Sequence, residues 1–281
     1  MLQTKKINNI NIKKISLNGI DNRETKYKDY FDAPYFTTYI YGKRGSGKTN
    51  LLCNILPNLV HKKETDLVMI ISNSYKSDPL WKWIINYLNK HKINNICYPT
   101  MTEIEIIETP AGRMKNEKVN HIQDLLDILK EKQEESESES DEENYLSIAK
   151  TNRKPRKEPF IYSKYLLLCD DISNELHNPS LQHLIKIARH WKLNIILLSQ
   201  VLNDIPSGIK GNLNNIILFK NCSLTSLQNL YKYINIDIHF NKFYEIYKEA
   251  TKESDNQRNF LYIDLDKSIL RKNFSELINY K

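Results

Sequence analysis

The residues of this sequence best suited to chemistry are three glycines, a lysine and a threonine between positions 42 and 49. They are Gly42, Gly45, Gly47, Lys48 and Thr49, in the spacing G-x-x-G-x-G-K-T. Glycines let consecutive backbone N–H groups turn inward around a phosphate, and a following helix directs its positive end at the same anion. The lysine of such a loop reaches the β- and γ-phosphates, and the threonine hydroxyl suits Mg²⁺. The spacing therefore predicts a loop that binds ATP with Mg²⁺.

The residues on both sides of the loop favour this interpretation over a chance match in a surface turn. Residues 36–41 are rich in β-branched and aromatic side chains, which predicts a strand. The leucine-rich stretch from Thr49 to about Val60 predicts a helix. Three of the seven glycines of the chain fall within this one loop. The predicted nucleotide-binding residues are Gly42, Lys43, Arg44, Gly45, Ser46, Gly47, Lys48, Thr49 and Asn50.

A second group of candidate residues follows the apolar run from Tyr165 to Cys169. This run predicts a buried strand, and it ends in two carboxylates, Asp170 and Asp171. The first carboxylate is suited to holding Mg²⁺ and its water shell beside Thr49, and the second to orienting and deprotonating the attacking water. A turn or a helix N-cap is the alternative reading of two adjacent acids. The phosphate-binding loop upstream favours the catalytic reading.

Short apolar runs alternate with helical patterns along the chain, which predicts an α/β fold with a mostly parallel central sheet flanked by helices. Strands are predicted over residues 36–41, 66–72, 93–98, 165–171, 193–200, 215–220 and 260–264, and helices over 49–60, from 78, over 119–130, from 178 to 190, over 224–233 and over 243–250. Gln200 ends one of these strands. A polar side chain in that place can sense the γ-phosphate.

The 281 residues divide unevenly in composition. Residues 31–281 are predicted to form one nucleotide-binding domain, preceded by an arm or edge element at 1–30 and interrupted by a disordered acidic and basic insertion at about 131–158. Residues 130–143 carry eight acids and two lysines, a net charge of −6, which leaves +13 for the rest of a chain whose total is +7. A body this basic suggests nucleic acid as a partner, or else a solvated lysine-rich surface.

The four cysteines and the apolar runs limit the class of protein. The cysteines have no C-x-x-C spacing, so neither a zinc site nor a disulfide framework is indicated, and a reducing, intracellular setting is expected. No apolar run reaches membrane-spanning length, and the first residues lack a signal-peptide core. We therefore expect no membrane partner.

Four features taken in order carry a family resemblance. They are Gly42–Thr49, Leu166–Asp171, Arg189 and His190 before the strand that ends in Gln200, and Tyr247–Thr251 ahead of residues 260–264. In this combination the chain resembles the viral genome-packaging ATPases of the FtsK–HerA superfamily, the type found in poxviruses, giant viruses and virophages. The resemblance implies a RecA-like P-loop fold, assembly into a ring, and ATP-driven translocation of double-stranded DNA into a preformed capsid.

The resemblance also implies roles for single residues of the nucleotide site. Lys48 would bind phosphate, and Thr49 and Asp170 would serve the metal ion. Asp171 stands where the superfamily often has a catalytic glutamate, and Gln200 stands where it has a sensor. The aspartate is shorter than a glutamate, although the viral branch commonly has aspartate there.

Several cations are candidates for a second role. Arg189 is implied to be a finger that reaches the ATP of a neighbouring subunit, and its alternative role is a cation at a helix C-terminus. Arg44 and Lys220 are weaker candidates for such a finger. His190 is expected to be structural and is assigned no chemistry.

Two other classes of protein remain open at this point. One is a monomeric P-loop phosphotransferase of the nucleotide-kinase type, although no arginine-rich lid is evident and two carboxylates suit attack by water better. The other is a nucleotide-switched structural protein of the virion. A GTPase is disfavoured because no N-K-x-D segment occurs. The partners implied by the resemblance are double-stranded DNA, further copies of the chain in a ring and a capsid protein, in a virion or in the viral factory of a host-cell cytoplasm.

Overall fold

The computed structural model describes residues 23–108, 114–146, 159–171, 175–202, 205–234, 236–253 and 258–280, without the side chains of 105–108, 114–117 and 135–146. The strands are β1 (Thr37–Tyr41), β2 (Leu67–Ser72), β3 (Asn95–Tyr98), β4 (Thr102–Glu108), β5 (Met114–Asn120), β6 (Tyr165–Asp170), β7 (Leu193–Ser199), β8 (Asn215–Phe219), β9 (Phe260–Asp264), β10 (Ile269–Lys272) and β11 (Glu276–Leu277). The helices are α1 (Lys48–Leu59), α2 (Pro79–Lys90), α3 (His121–Leu146), α4 (Pro179–Ile187), α5 (Ser207–Lys210), α6 (Leu224–Tyr231) and α7 (Phe240–Ala250).

Within the described part of the chain, one large sheet has the strand order β11-β10-β9-β8-β1-β7-β6-β2-β3. The six strands from β8 to β3 are parallel, and β9, β10 and β11 extend the sheet in antiparallel fashion. Parallel strands bring their carboxyl ends to one edge, where loops carry binding residues. The predicted mostly parallel α/β fold is confirmed.

Alternate side chains of each central strand enter two separate cores, one on each face of the sheet. In β1, Tyr39 and Tyr41 pack on the face covered by α3, α4, α6 and α7, whereas Ile40 packs on the face covered by α1 and α2. In β6, Leu167 and Leu168 divide between the two faces in the same way. The central strands are buried along almost their whole length and are mostly apolar, because both faces of the sheet are covered.

Two helices begin where the sequence predicts, at a capping residue followed by proline. The Asp78 carboxylate accepts a hydrogen bond from the Leu80 N–H at 2.7 Å, and proline stands in the first turn of α2. The Asn178 side chain accepts from the Ser180 N–H at 2.9 Å at the start of α4. These caps satisfy N–H groups that have no partner within the helix, and a proline needs no such partner.

Residues 23–31, which include the described end of the predicted arm, pack against the sheet. Tyr27 and Phe31 are fully buried, and Thr25 forms a parallel bridge with Ile161. The Asn194 amide of β7 donates to the Tyr27 hydroxyl at 3.2 Å. Residues 1–22 lie outside the described part of the chain.

Three features of the structure differ from the sequence-based expectation. Helix α3 continues through the acidic stretch to Leu146, where the composition suggested a disordered segment; residues 147–158 of the predicted insertion lie outside the described residues. Strands β4 and β5 pair as a separate antiparallel hairpin that was not predicted, and β10 and β11 were not predicted either. Among the residues described, no helix combines the length and apolar character needed to cross a membrane.

Candidate functional site

The loop between β1 and α1 has the geometry that the glycine spacing predicts. Gly45 and Gly47 have φ values of 76° and 105°, in the left-handed region that favours glycine. Gly42 has no positive φ, but a Cβ there would lie 2.2 Å from the Ser46 Oγ. The Gly42 N–H donates to the Ser199 carbonyl of β7 at 3.1 Å. The loop is therefore hydrogen-bonded to the neighbouring strand. Its curvature requires glycine at these positions, because a side chain would clash with Ser46 or strain the backbone.

Lys48 occupies the first turn of α1 and is almost buried, with 8% of its surface exposed. Its ammonium donates to the Gly42 carbonyl at 2.7 Å, which folds the side chain back over the loop. Burial lowers the pKa of Lys48 below its ordinary value, while Asp170 and Asp171 oppose this shift. A buried ammonium is destabilising without anionic partners, and phosphate oxygens at this loop would supply them.

Asp170 ends β6, which is separated from β1 by β7 alone. The Trp81 indole N–H of α2 donates to the Asp170 carboxylate at 2.8 Å. Burial raises the pKa of Asp170, whereas the Trp81 hydrogen bond and the nearby Lys48 charge lower it. The Asp170 carboxylate thus lies at the carboxyl edge of the sheet, close enough to Lys48 of the phosphate-binding loop for the two charges to interact.

Asp171 and Gln200 meet just beyond the ends of neighbouring strands. Asp171 has a φ of 58°, and its N–H donates to the Leu198 carbonyl at 3.2 Å. The Gln200 amide donates to the Asp171 carboxylate at 3.0 Å. A left-handed backbone is uncommon outside glycine, although aspartate adopts it more readily than most residues, and the Asp171 side chain is exposed. The two side chains predicted to handle the attacking water and the γ-phosphate are therefore hydrogen-bonded to each other.

Other predicted nucleotide-binding residues lie on the phosphate-binding loop and in the first turn of α1. Thr49 and Asn50 lie in the first turn of α1, and Lys43 and Arg44 are exposed on the loop. A hydroxyl and a carboxylate are hard oxygen ligands of the kind Mg²⁺ takes together with phosphate oxygens and water. Thr49 and Asp170 fit that ion. Within the described residues, no group of three or more His, Cys, Asp and Glu could hold a metal by itself.

Two residues at the site were missed by the sequence reasoning. Trp81 was read only as an apolar residue of a helix, yet it is the fully buried hydrogen-bond donor to Asp170. Arg258 precedes β9, and its guanidinium donates to the Gly45 carbonyl of the phosphate-binding loop. Both contacts join residues that are far apart in sequence, so no local pattern could have indicated them.

The predicted finger lies elsewhere. Arg189 follows α4 at the amino edge of the parallel strands. It lines a cavity of about 290 Å³ together with Thr37, Leu193 and Asn214. Its side chain is 69% exposed and lies 3.9 Å from the Asp266 carboxylate. A strand of this length separates the two edges by roughly 15–20 Å. Arg189 is therefore remote from the phosphate-binding loop of its own chain.

The two weaker cation candidates lie on the same side of the molecule as the phosphate-binding loop. Arg44 is exposed on the loop itself. Lys220 follows β8 and forms an exposed ion pair with Glu253 at 3.3 Å. Both lie beside a small cavity of about 180 Å³ that Ser46 and Arg258 also line.

Comparison with known proteins finds similarity to viral proteins over part of the chain. Residues 138–273, just under half of the chain, match the family described as the poxvirus A32 protein. This match includes Asp170, Asp171, Arg189 and Gln200, and it begins after the phosphate-binding loop. The predicted resemblance to viral genome-packaging ATPases is confirmed.

Individual relatives have a lower or a partial similarity. The uncharacterized protein 075L of Invertebrate iridescent virus 6 is 33% identical over 102 residues, which are 35% of this chain and 38% of that protein. The match thus spans well under half the length of this curated relative. The genome-packaging NTPase B204 of Sulfolobus turreted icosahedral virus 2, in complex with ATP-gammaS, is 15% identical, with a TM-score of 0.47 over 85% of this chain and 96% of that chain. The conjugation coupling protein TcpA of pCW3 is 12% identical, with a TM-score of 0.44 over 88% and 60% of the two chains.

Proposed function

We propose that this chain is the ATP-hydrolysing subunit of a motor that moves double-stranded DNA into a viral capsid. One observation carries the proposal: Lys48, Asp170, Asp171 and Gln200 converge at the carboxyl edge of one sheet, in a chain that matches the poxvirus A32 family. A phosphate-binding lysine, a metal-binding carboxylate and a second acid suited to activating water are the parts that ATP hydrolysis needs.

Each part of the site has a separate task in the proposed reaction. The loop N–H groups and Lys48 hold the phosphates of ATP, and Thr49 and Asp170 hold Mg²⁺, which neutralises charge on those phosphates when bound. Asp171 accepts a proton from the attacking water, and Gln200 keeps the Asp171 carboxylate oriented through its amide. Attack on the γ-phosphorus breaks the bond to the β–γ bridging oxygen and releases ADP and phosphate.

The proposed ring would explain the position of Arg189. Because Arg189 lies at the sheet edge opposite its own phosphate-binding loop, it can serve an ATP site only across a contact between two copies of the chain. We propose that it does so, stabilising the charge on the transferred phosphoryl group. Its ion pair with Asp266 is long and exposed, so breaking this pair costs little free energy.

Charge makes DNA the best-supported partner. Outside residues 130–143 the chain carries a net charge of +13. This charge suits a contact with the phosphate backbone of DNA, which does not depend on base sequence and weakens with salt. A motor of this kind would also contact a capsid protein and act in the infected cell or in the virion.

Duplex DNA is expected to stimulate the steady-state ATPase rate of the full chain, and ATP is expected to raise its mass in solution to that of an oligomer. The stimulation should fall as salt is raised from 50 to 200 mM, because phosphate contacts release counterions. A monomer that hydrolyses ATP at the same rate without DNA would contradict the motor. Transfer of the phosphate to a nucleotide acceptor would instead support the phosphotransferase alternative.

The hydrogen bond from Trp81 should set the acid limit of activity. The ionised form of Asp170 is the metal ligand, and burial raises its pKa, so activity should fall as pH drops through that raised value. Trp81 favours the ionised form. In Trp81→Phe the pKa should rise further, and the acid limb of the pH–rate profile should move to higher pH.

The matched control for this prediction is Trp83→Phe, two positions along α2, where the indole is 44% exposed. Its pH profile should overlie that of the wild type. If Trp81→Phe lowers the rate equally at every pH, the indole serves packing and does not tune the carboxylate.

A further inference from the structure

The hairpin of β4 and β5 stands apart from the large sheet. Among the residues described, these two strands pair with each other and with no strand of that sheet. The Ile104 side chain of β4 is 73% exposed. A lone pair of strands is only marginally stable in water, and an exposed isoleucine gains free energy when another surface covers it. The hairpin therefore has the character of a contact surface.

The base of the hairpin is held firmly by the body of the protein. Met101, just before β4, is fully buried, and its N–H donates to the Glu175 carboxylate at 3.1 Å. Its carbonyl accepts a hydrogen bond from the His121 N–H at 2.9 Å. The His121 ring stacks on Tyr98 at the end of β3, with the ring centres 3.6 Å apart. Because the base is already ordered, a partner that binds the hairpin loses little free energy in ordering it.

The hairpin leaves the large sheet at the edge that carries the two aspartates of the proposed site. Tyr98 of β3 pairs with Ile71 of β2, and Ile71 also pairs with Cys169, the residue before Asp170. Strand β2 alone separates β3 from β6, so the two strands are about 10 Å apart. A second copy of the chain that approaches this ATP site would therefore also meet the hairpin.

Strand β4 is acidic as well as apolar. Its sequence, TEIEIIE, has three glutamates, three isoleucines and no cation. The side chain of Glu103, next to Ile104, is 34% exposed. Interfaces that form specifically have complementary charges around apolar contacts. The surface that suits β4 is therefore basic and includes an apolar or aromatic side chain.

The amino edge of the large sheet has such a surface on both sides of Arg189. Tyr233, which follows α6, is 57% exposed, and the Lys210 ammonium lies 3.8 Å from the centre of its ring. Lys186 and Lys192 are exposed on either side of Arg189 in sequence. We call these four residues the basic face; they are Lys186, Lys192, Lys210 and Tyr233. The basic face and the hairpin lie at opposite edges of one sheet, so they can meet only between two copies.

We propose that the β4–β5 hairpin of one copy docks on the basic face of a second copy, with Ile104 against Tyr233 and the acidic strand β4 against the lysines. The inference rests on the proposed function, in which Arg189 reaches the ATP site of a neighbour through the same head-to-tail contact. It adds that a hairpin outside the nucleotide site, about two strands away from Asp170, supplies much of the attraction between copies.

Sedimentation velocity in the presence of ATP, over a range of protein concentrations, measures this contact. Ile104→Lys should weaken ATP-induced association by about tenfold or more, because a lysine replaces the covered isoleucine and faces other lysines. Its thermal unfolding midpoint should match that of the wild type, since position 104 is exposed. The matched control is Leu277→Lys on β11, a 61% exposed position at the opposite end of the sheet from β3, which should associate normally.

A charge exchange identifies the surface that the hairpin meets. Lys210→Glu should also weaken association, because it places a carboxylate opposite the acidic strand. Combining Ile104→Lys with Lys210→Glu in one chain puts opposite charges across the contact and should recover part of the association. Lys90→Glu, at the end of α2 on the other face of the sheet, should have no effect. The inference is overturned if Ile104→Lys associates like the wild type, or if the double variant associates no better than Ile104→Lys alone.

Failure of this inference can be told from failure of the proposed function. A wild-type chain that stays monomeric with ATP and duplex DNA would overturn the ring and the docking of the hairpin together. A wild type that associates, with Ile104→Lys unaffected, would overturn the docking alone. If Ile104→Lys associates normally but loses affinity for duplex DNA, the hairpin contacts DNA and not a second copy.

Discussion

Replacing Lys48 with methionine is expected to lower ATP turnover by about a hundredfold or more, because the variant removes the cation that faces the phosphates. Methionine keeps the length and burial of the side chain. Since burial already lowers the pKa of Lys48, removing this charge relieves a desolvation penalty in the empty protein. The folded state should therefore persist, and the loss should appear in the steady-state ATPase rate with little change in the thermal unfolding midpoint.

Lys62→Met, an exposed position past the end of α1, is the matched control and should keep full turnover. Lys48→Met subunits also test the role of Arg189, because they retain an intact Arg189. Mixed with Arg189→Ala subunits, which retain an intact phosphate-binding loop, they should restore part of the activity that each lacks alone. If no mixing ratio restores activity, Arg189 does not act on the ATP of a neighbouring subunit, and its remaining role is that of a cation at the C-terminus of α4. Near-normal turnover by Lys48→Met alone would contradict the proposed site.

The second large effect is expected at Asp171. Asp171→Asn should lower turnover by about a hundredfold or more, because an amide cannot accept the proton of the attacking water. ATP affinity should change by less than about threefold, since the phosphates are held by the loop and Lys48. The measurement is single-turnover hydrolysis alongside equilibrium binding of ATP.

Asparagine is the right substitution because of the backbone at this position. The φ of 58° is tolerated by asparagine as well as by aspartate, whereas alanine would add strain of about 1 kcal/mol. Asp66→Asn, before β2 at the opposite edge of the sheet, makes the same change in charge and should hydrolyse ATP normally. If Asp171→Asn hydrolyses ATP at close to the wild-type rate, another group activates the water.

The parts of the site that could be predicted from the sequence are those in which chemistry and local structure coincide. The loop from Gly42 to Thr49 is contiguous, and its flanking strand and helix follow from apolar patterns over a few residues. Asp170 and Asp171 end an apolar run, so their place at the carboxyl edge followed from the parallel sheet. The hydrophobic periodicity of a short stretch is sufficient to predict the position of a residue when that residue belongs to the same helix or strand.

The parts that escaped prediction depend on contacts between distant segments. Trp81 and Asp170 are 89 positions apart, and Arg258 and Gly45 are 213 apart. The β4–β5 hairpin lies outside the large sheet. Strand β4 does alternate glutamate with isoleucine, as a half-exposed strand does, but this pattern was overlooked, and its partner β5 is almost wholly polar and has no strand pattern of its own. Pairings of this kind are fixed by the tertiary fold and not by the composition of either partner.

The separation of Arg189 from the phosphate-binding loop has a consequence for how copies of the chain would associate. A contact that brings the amino edge of one sheet to the carboxyl edge of the next is heterologous: it joins unlike faces, so a pair of copies always leaves one donor face and one acceptor face unused. Such an assembly stops growing only when successive rotations add up to a full turn, and otherwise it continues as an open filament. The angle of a single junction would thus determine both the number of copies and the width of the hole they enclose.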